Sequence, residues 1–109
     1  MKLSTAIKLG SKKVEDIDRV TFYSSSKGEI THACPLGTAY MGLYSKNTSI
    51  LAPATIVKKM RRKGINLYKV VDHPETHKKD YLWHIIISLV DKFFYRRLSV
   101  IRWLEKLGL

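Results

Sequence analysis

A compact, helix-rich α+β domain with one small β-hairpin is the fold this chain predicts, and it reads as a single domain over residues 1–109. Three features lead there. Apolar residues recur at helical spacing in several segments that begin with Pro or end with Gly. A single pair of β-prone pieces flanks a turn-forming stretch. An apolar fraction of 45% with two Trp in 109 residues is also enough to bury a core without covalent staples, and too high for a disordered chain.

Leu3, Ala6, Ile7 and Gly10 share one stripe, which predicts a short helix over residues 3–9 with Gly10 as its stop. Residues 14–18 are expected to add a second short turn. Val20-Thr21-Phe22-Tyr23 and Ile30-Thr31-His32-Ala33 are β-prone, and Ser24-Ser25-Ser26-Lys27-Gly28 between them is turn chemistry, so a hairpin is expected over residues 20–34. Pro35 ends its second strand and suits the first turn of a helix reaching Leu43. Ala39, Met41 and Leu43 are expected on or near the inner side of that helix, with Gly37 and Gly42 permitting close approach. Lys46-Asn47-Thr48-Ser49 reads as a loop.

Residues 53–63 predict a helix with Pro53 in its first turn and Gly64 just past its end. Ile56, Val57 and Met60 form its apolar stripe. Ile65 to Val71 reads as a strand, and Asp72-His73-Pro74-Glu75 as the start of another helix or the loop before it. Tyr81 to Val90 is apolar nearly all round, as a central buried helix would be. After Phe93-Phe94-Tyr95 a last helix runs to about Leu107, stopped by Gly108, with Val100, Trp103, Leu104 and Leu107 facing the core. Both Trp83 and Trp103 are expected to be largely buried.

Three pieces of the chain resemble a family of small, uncharacterised bacterial and phage-borne proteins. They are Leu3-Ser4-Thr5-Ala6-Ile7-Lys8-Leu9-Gly10, Cys34-Pro35-Leu36-Gly37-Thr38-Ala39, and the C-terminal run through Leu89-Val90-Asp91, Tyr95-Arg96-Arg97 and Val100-Ile101-Arg102-Trp103-Leu104. Val90 stands where the family pattern has Asn, and Arg96 where it has Ser. The resemblance implies the same compact fold and carries no activity with it.

Charge is the main functional signal. The chain has a formal net charge of +11, and residues 58–109 hold 13 Lys or Arg against 5 Asp or Glu. The excess peaks at Lys58, Lys59, Arg61, Arg62 and Lys63 and returns at Arg96, Arg97, Arg102 and Lys106. Clustered cations bind a polyanion by raising the local potential and releasing its condensed counterions. The ordinary alternative is a solvated helix face whose cations favour the helix C-terminus, by roughly 0.3–1 kcal/mol each. Five cations in six residues exceed what such capping needs.

Other constellations have ordinary readings too. The helices Tyr81–Val90 and Arg96–Leu107 could form a helix-turn-helix displaying Ser99, Arg102 and Lys106, or simply a helical corner. Phe94 or Tyr95, if exposed beside Arg96 and Arg97, would suit stacking on unpaired bases. His32, Cys34, His73 and His77 include a His-x₃-His spacing open to zinc, although Pro74 and the lack of a second cysteine argue for scattered loop histidines. Cys34 before a helix start is a nucleophile candidate or a small buried cysteine. No phosphate-cradling Gly-rich loop, zincin helix or hydrolase elbow occurs, so neither a cofactor nor an enzymatic activity is expected.

The single cysteine excludes an intrachain disulfide and fits a reducing, cytoplasmic setting. Lys8 and Lys12 interrupt the N-terminal apolar pattern, which argues against an export signal. Tyr81 to Val90 is about half the ~20 residues a membrane span needs. The expected function is therefore non-enzymatic binding of nucleic acid or another polyanion by an accessory or regulatory protein. Lys58, Lys59, Arg61, Arg62 and Lys63 form its first patch, and Arg96, Arg97 and Arg102 its second. Docking on an acidic protein surface and sequestration of a small anionic nucleotide are the alternatives.

Overall fold

The computed structural model describes residues 1–16, 23–26, 29–44 and 52–109, and its radius of gyration of 12.7 Å is close to the about 13 Å of a compact domain of this length. Helix α1 (Leu3–Gly10) turns Leu3, Ala6, Ile7 and Gly10 inward, as the stripe requires. Gly10 is not the left-handed stop expected of it. It is the last helical residue, and Ser11 after it is right-handed at φ −60°. Its lack of a side chain serves packing: a methyl group there would overlap the Thr38 carbonyl oxygen.

A chain turn then leads into β1 (Glu15–Asp16), where a second helical turn was expected. The other strands of this sheet are β2 (Tyr23–Ser26) and β3 (Glu29–Ala33), in the order β1-β3-β2. β1 runs parallel to β3, pairing Glu15 with His32 and Asp16 with Ala33. β2 is antiparallel to β3, with a register irregularity between Ser24 and Ser25. A hairpin is thus present, but Ser24–Ser26 belong to its first strand and not to its turn. Strand propensity is weak in serine, and backbone pairing with β3 overrides it. The strand reading of residues 20–22, the turn reading of 27–28 and the loop reading of 46–49 lie outside the described residues.

Helix α2 (Pro35–Leu43) has Pro35 in its first turn and is buried from Pro35 to Met41, with Leu43 half-buried. It is the inner helix of the domain and packs on α1, α3 (Pro53–Arg62) and α4 (Leu82–Lys92). A methyl at Gly42 would overlap the Ala6 carbonyl oxygen and come within 2.8 Å of the Gly10 nitrogen. Lys13 Nζ donates to the carbonyls of Met41 at 2.9 Å and Tyr44 at 3.4 Å, placing a cation on the α2 C-terminus.

Residues 65–71 are not one strand. Ile65 and Leu67 are buried, but the Asn66 side chain accepts from the Tyr68 amide at 3.0 Å and bends the chain. The strand begins only at β4 (Val70–Asp72), which pairs antiparallel with β5 (Lys79–Tyr81). Residues 73–78 are the turn of this second hairpin. It leads directly into α4, whose Leu82, Ile85, Ile86, Leu89 and Val90 are buried.

Helix α5 (Arg97–Lys106) packs on α1. Its inner face is Val100, Ile101 and Leu104, while Leu107 is 45% exposed, so the stripe is shifted toward Ile101 from the expected register. Trp83 and Trp103 are half-buried at the margin of the core rather than within it. Among the described residues the largest fully buried side chain is Tyr40.

The α1–α2 approach leads to a stability prediction. Gly10→Ala should cost about 3 kcal/mol, the upper end of overpacking, because backbone rather than a flexible side chain must move. Gly64→Ala has open space but a φ of +84°, and should cost about 1–2 kcal/mol. Urea denaturation of the two variants measures the difference; equal midpoints would refute close helix packing at Gly10.

Candidate anion-binding surface

Helix α3 starts at Pro53, whose missing N–H costs nothing in a first turn, and buries Ile56, Val57 and Met60. Its end is locked by two backbone bonds, from Gly64 N to Arg61 O at 3.0 Å and from Ile65 N to Met60 O at 3.1 Å, with Gly64 in the left-handed region. This paired pattern is a Schellman cap, and the apolar residues at its two ends, Met60 and Ile65, are both buried. The cationic turn is therefore held rigidly at the surface.

Its five cations divide between two faces. Lys58, Arg61 and Arg62, spaced i, i+3 and i+4, line an open depression of about 560 Å³ together with Tyr68. Lys59 and Lys63, spaced i and i+4, lie over the ring of Tyr44, their Nζ atoms 5.9 and 5.1 Å from its centroid. The Tyr44 hydroxyl donates to the Lys59 carbonyl at 2.7 Å, which fixes that ring against the helix. None of the five makes an ion pair among the described residues.

The second expected patch is built differently. Arg96 Nε donates to Asp16 Oδ2 at 3.2 Å, and the Arg97 backbone amide donates to the same oxygen at 3.1 Å. Arg97 Nη1 donates to the Val14 carbonyl at 2.9 Å and to Thr38 Oγ1 at 3.4 Å. These two arginines fasten the start of α5 to β1 and α2. Arg102 is exposed and lines a separate depression of about 350 Å³ with Lys8, Ser11, Arg97, Leu98, Ile101 and Glu105. Lys58, Arg61 and Arg62 thus line one depression, and Arg97 and Arg102 another.

Of the three rings between α4 and α5, Phe94 is 82% exposed and has a positive φ of 57°, a conformation uncommon for a bulky residue. Phe93 meets the His73 ring edge-on at 5.1 Å. Tyr95 is half-buried, and its hydroxyl donates to Glu75 Oε1 at 2.7 Å. Ser99, Arg102 and Lys106 are all exposed on α5.

The hairpin turn is organised by His73, which is only 5% exposed. The amides of Glu75 and Thr76 both donate to its Nδ1, at 3.0 and 3.2 Å. Nδ1 therefore carries the lone pair and Nε2 the proton, which is donated to Ser88 Oγ at 3.1 Å. A Ser–His pair generates a nucleophile only when the ring accepts the hydroxyl proton; here it donates. With both ring nitrogens engaged, His73 offers no lone pair to a metal. Among the described residues no group of three or more His, Cys, Asp or Glu side chains is placed to hold one.

Cys34 is buried at the head of α2, and burial pushes its thiol up to about 11, outweighing the lowering effect of the nearby backbone amides. It stays a thiol near neutrality and is a poor nucleophile.

A third depression of about 470 Å³ lies beside His73, and its lining includes Lys78, Lys79 and Lys92 together with Asp80 and Asp91. Sequence reasoning missed this lysine group and Tyr68. Their only local signals were the Lys78-Lys79 pair and an aromatic six residues beyond Arg62, and neither indicates convergence. Comparison with protein-family models, curated proteins and solved structures finds no match.

Burial first, with lesser contributions from His77 and Lys92 against those of Glu75 and Asp80, holds the His73 imidazolium pKa below its usual value. The unfolded chain binds that proton more readily, so the contribution of His73 is complete above about pH 6.5 and is lost as the pH falls below it. His73→Asn, which can still accept the turn amides but does not titrate, should flatten the stability change between neutral and mildly acidic pH. Long-range ¹H–¹⁵N NMR should find Nδ1 unprotonated at neutral pH; a protonated Nδ1 would refute the assignment. Cys34 should react slowly with a soluble disulfide reagent in the folded protein and rapidly in denaturant, and fast reaction in the folded state would contradict its burial.

Proposed function

We propose that this protein is a non-enzymatic binding module for nucleic-acid phosphates, with Lys58, Arg61 and Arg62 as its principal contacts. The observation that supports this reading most directly is their convergence on one depression beside Tyr68, on a helix end capped by backbone geometry. Three like charges at i, i+3 and i+4 repel one another, and a bound polyanion relieves that repulsion while releasing its counterions. Lys59 and Lys63, set over Tyr44, contribute to the field from the neighbouring face. Arg102 adds an exposed cation elsewhere, whereas Arg96 and Arg97 chiefly join α5 to the rest of the fold. Phosphate contacts of this kind position a protein on nucleic acid without reading its sequence. No helix among the described residues is long and apolar enough to cross a membrane.

The reading predicts a steep fall of affinity with salt, at about 0.9 per phosphate contact on duplex and about 0.7 on a single strand in a log–log plot. Arg61→Gln with Arg62→Gln should lower the duplex slope by about one to two units. The melting temperature should hardly move, because both side chains are exposed and unpaired among the described residues. The control of equal charge is Lys2→Gln with Lys12→Gln. Lys8 is unsuitable because its Nζ bridges Glu105 at 3.2 Å. Equal weakening by both pairs would reduce the effect to net charge. Absence of salt-sensitive binding near physiological ionic strength would refute the reading. A free nucleoside triphosphate that binds as tightly as a short oligonucleotide would mark the depression as a small-nucleotide pocket instead.

A further inference from the structure

A row of rings joins the Lys58–Arg61–Arg62 depression to the one beside His73. Tyr68, in the wall of the Lys58–Arg61–Arg62 depression, meets Tyr81 edge-on at 5.8 Å between centroids. Tyr81 in turn meets His84 at 5.5 Å, and His84 lines the depression carrying Lys78, Lys79 and Lys92. The row exists because Val70 pairs with Tyr81 across the second hairpin, which brings β5 beside the segment that follows α3. Tyr81 is 43% exposed and Val70 54%, so this is the part of the hairpin where aromatic and apolar surface meets solvent.

We infer that the polyanion bound here is single-stranded nucleic acid, laid along this row with its phosphates on the lysines and arginines at either end and an unpaired base stacked on Tyr81. The inference rests on the phosphate-binding reading above and adds the class of nucleic acid to it. Aromatic rings between cationic depressions suit a single strand because its bases expose their faces, whereas the faces in a duplex are covered by neighbouring bases. The carboxylates along the row are already engaged: Asp72 accepts from Lys79 Nζ at 3.0 Å, and Asp80 pairs with His84 Nδ1 at 3.1 Å. Asp91 also lines the depression beside His73, where Lys78 and Lys92, which make no ion pair among the described residues, outnumber it. Phe94 is more exposed, but it stands on the α4–α5 turn, and neither depression that the row joins includes it in its lining.

The test compares a short oligothymidylate with a duplex of equal length at matched salt, using the full chain. The single strand should bind more tightly. Tyr81→Leu, which keeps bulk and backbone pairing but removes the ring, should weaken single-strand binding roughly tenfold and leave duplex binding unchanged. Tyr81→Phe should bind as the parent does. Photocrosslinking of an iodouracil-substituted strand to the unaltered protein should map to Tyr81 or Tyr68, so the inference does not depend on a variant folding. If the parent binds both nucleic acids and Tyr81→Leu leaves single-strand affinity intact, or if crosslinks map to Phe94 alone, stacking along this row is wrong while the phosphate reading stands. If the parent binds neither, both fall.

Discussion

The close approach of α1 and α2 is the contact on which the rest of this fold depends. It needs two glycines on facing surfaces: Gly10 lies against the Thr38 carbonyl and Gly42 against the Ala6 carbonyl. Backbone meets backbone there, so the neighbouring Ala6, Ile7, Leu36, Ala39 and Tyr40 are buried together. Thr38 then ties the layers. Its hydroxyl donates to the Ala33 carbonyl at 3.2 Å, at the end of β3, and accepts from Arg97 at the start of α5. A shift of α1 relative to α2 would disturb the sheet and the last helix together, because both are anchored at the residue that Gly10 touches.

The second organising element is the economy of acidic groups. With nine carboxylate side chains against twenty cations, each placement matters. Asp16 receives both the Arg96 side chain and the Arg97 amide, Glu105 bridges Lys8, and Asp72 bridges Lys79. The exposed bridges contribute little energy individually. Asp16 is different because it is largely covered and holds two elements of the fold in register. The described structure sets no carboxylate against Lys58, Arg61 or Arg62. Their mutual repulsion is tolerated at the negative end of the α3 dipole, and the Schellman cap keeps that end from fraying.

The hairpin β4–β5 gives the cationic helix its aromatic neighbour. Its turn is held by a neutral His73, and its register sets Tyr81 beside Tyr68. The same histidine is bonded to Ser88 on α4, so the turn, the strand pair and the helix behind them form one unit. A rigid ring platform next to a rigid cationic turn is the kind of arrangement that binds a strand without large ordering costs.

Much of the helical content was legible in the residues themselves. Pro35, Pro53 and Gly64 mark helix ends by fixed local geometry, and the stripes Leu3-Ala6-Ile7 and Ile56-Val57-Met60 name their buried faces, because periodicity is a property of the helix alone. The clustering of cations on α3 was equally plain. Only the tertiary structure decided what depends on partners distant in the chain. It assigned Gly10 to packing rather than to a stop, drew Ser24–Ser26 into a strand, and ended the reading of residues 65–71 as a strand through the Asn66 turn. It also gave Arg96 and Arg97 to Asp16, some eighty residues away, and aligned Tyr68 with Tyr81 through a hairpin that the pattern did not announce. Local spacing determines which face of an element is apolar or charged; which other face it meets is set by long-range packing and pairing, for which a single sequence carries no local signal.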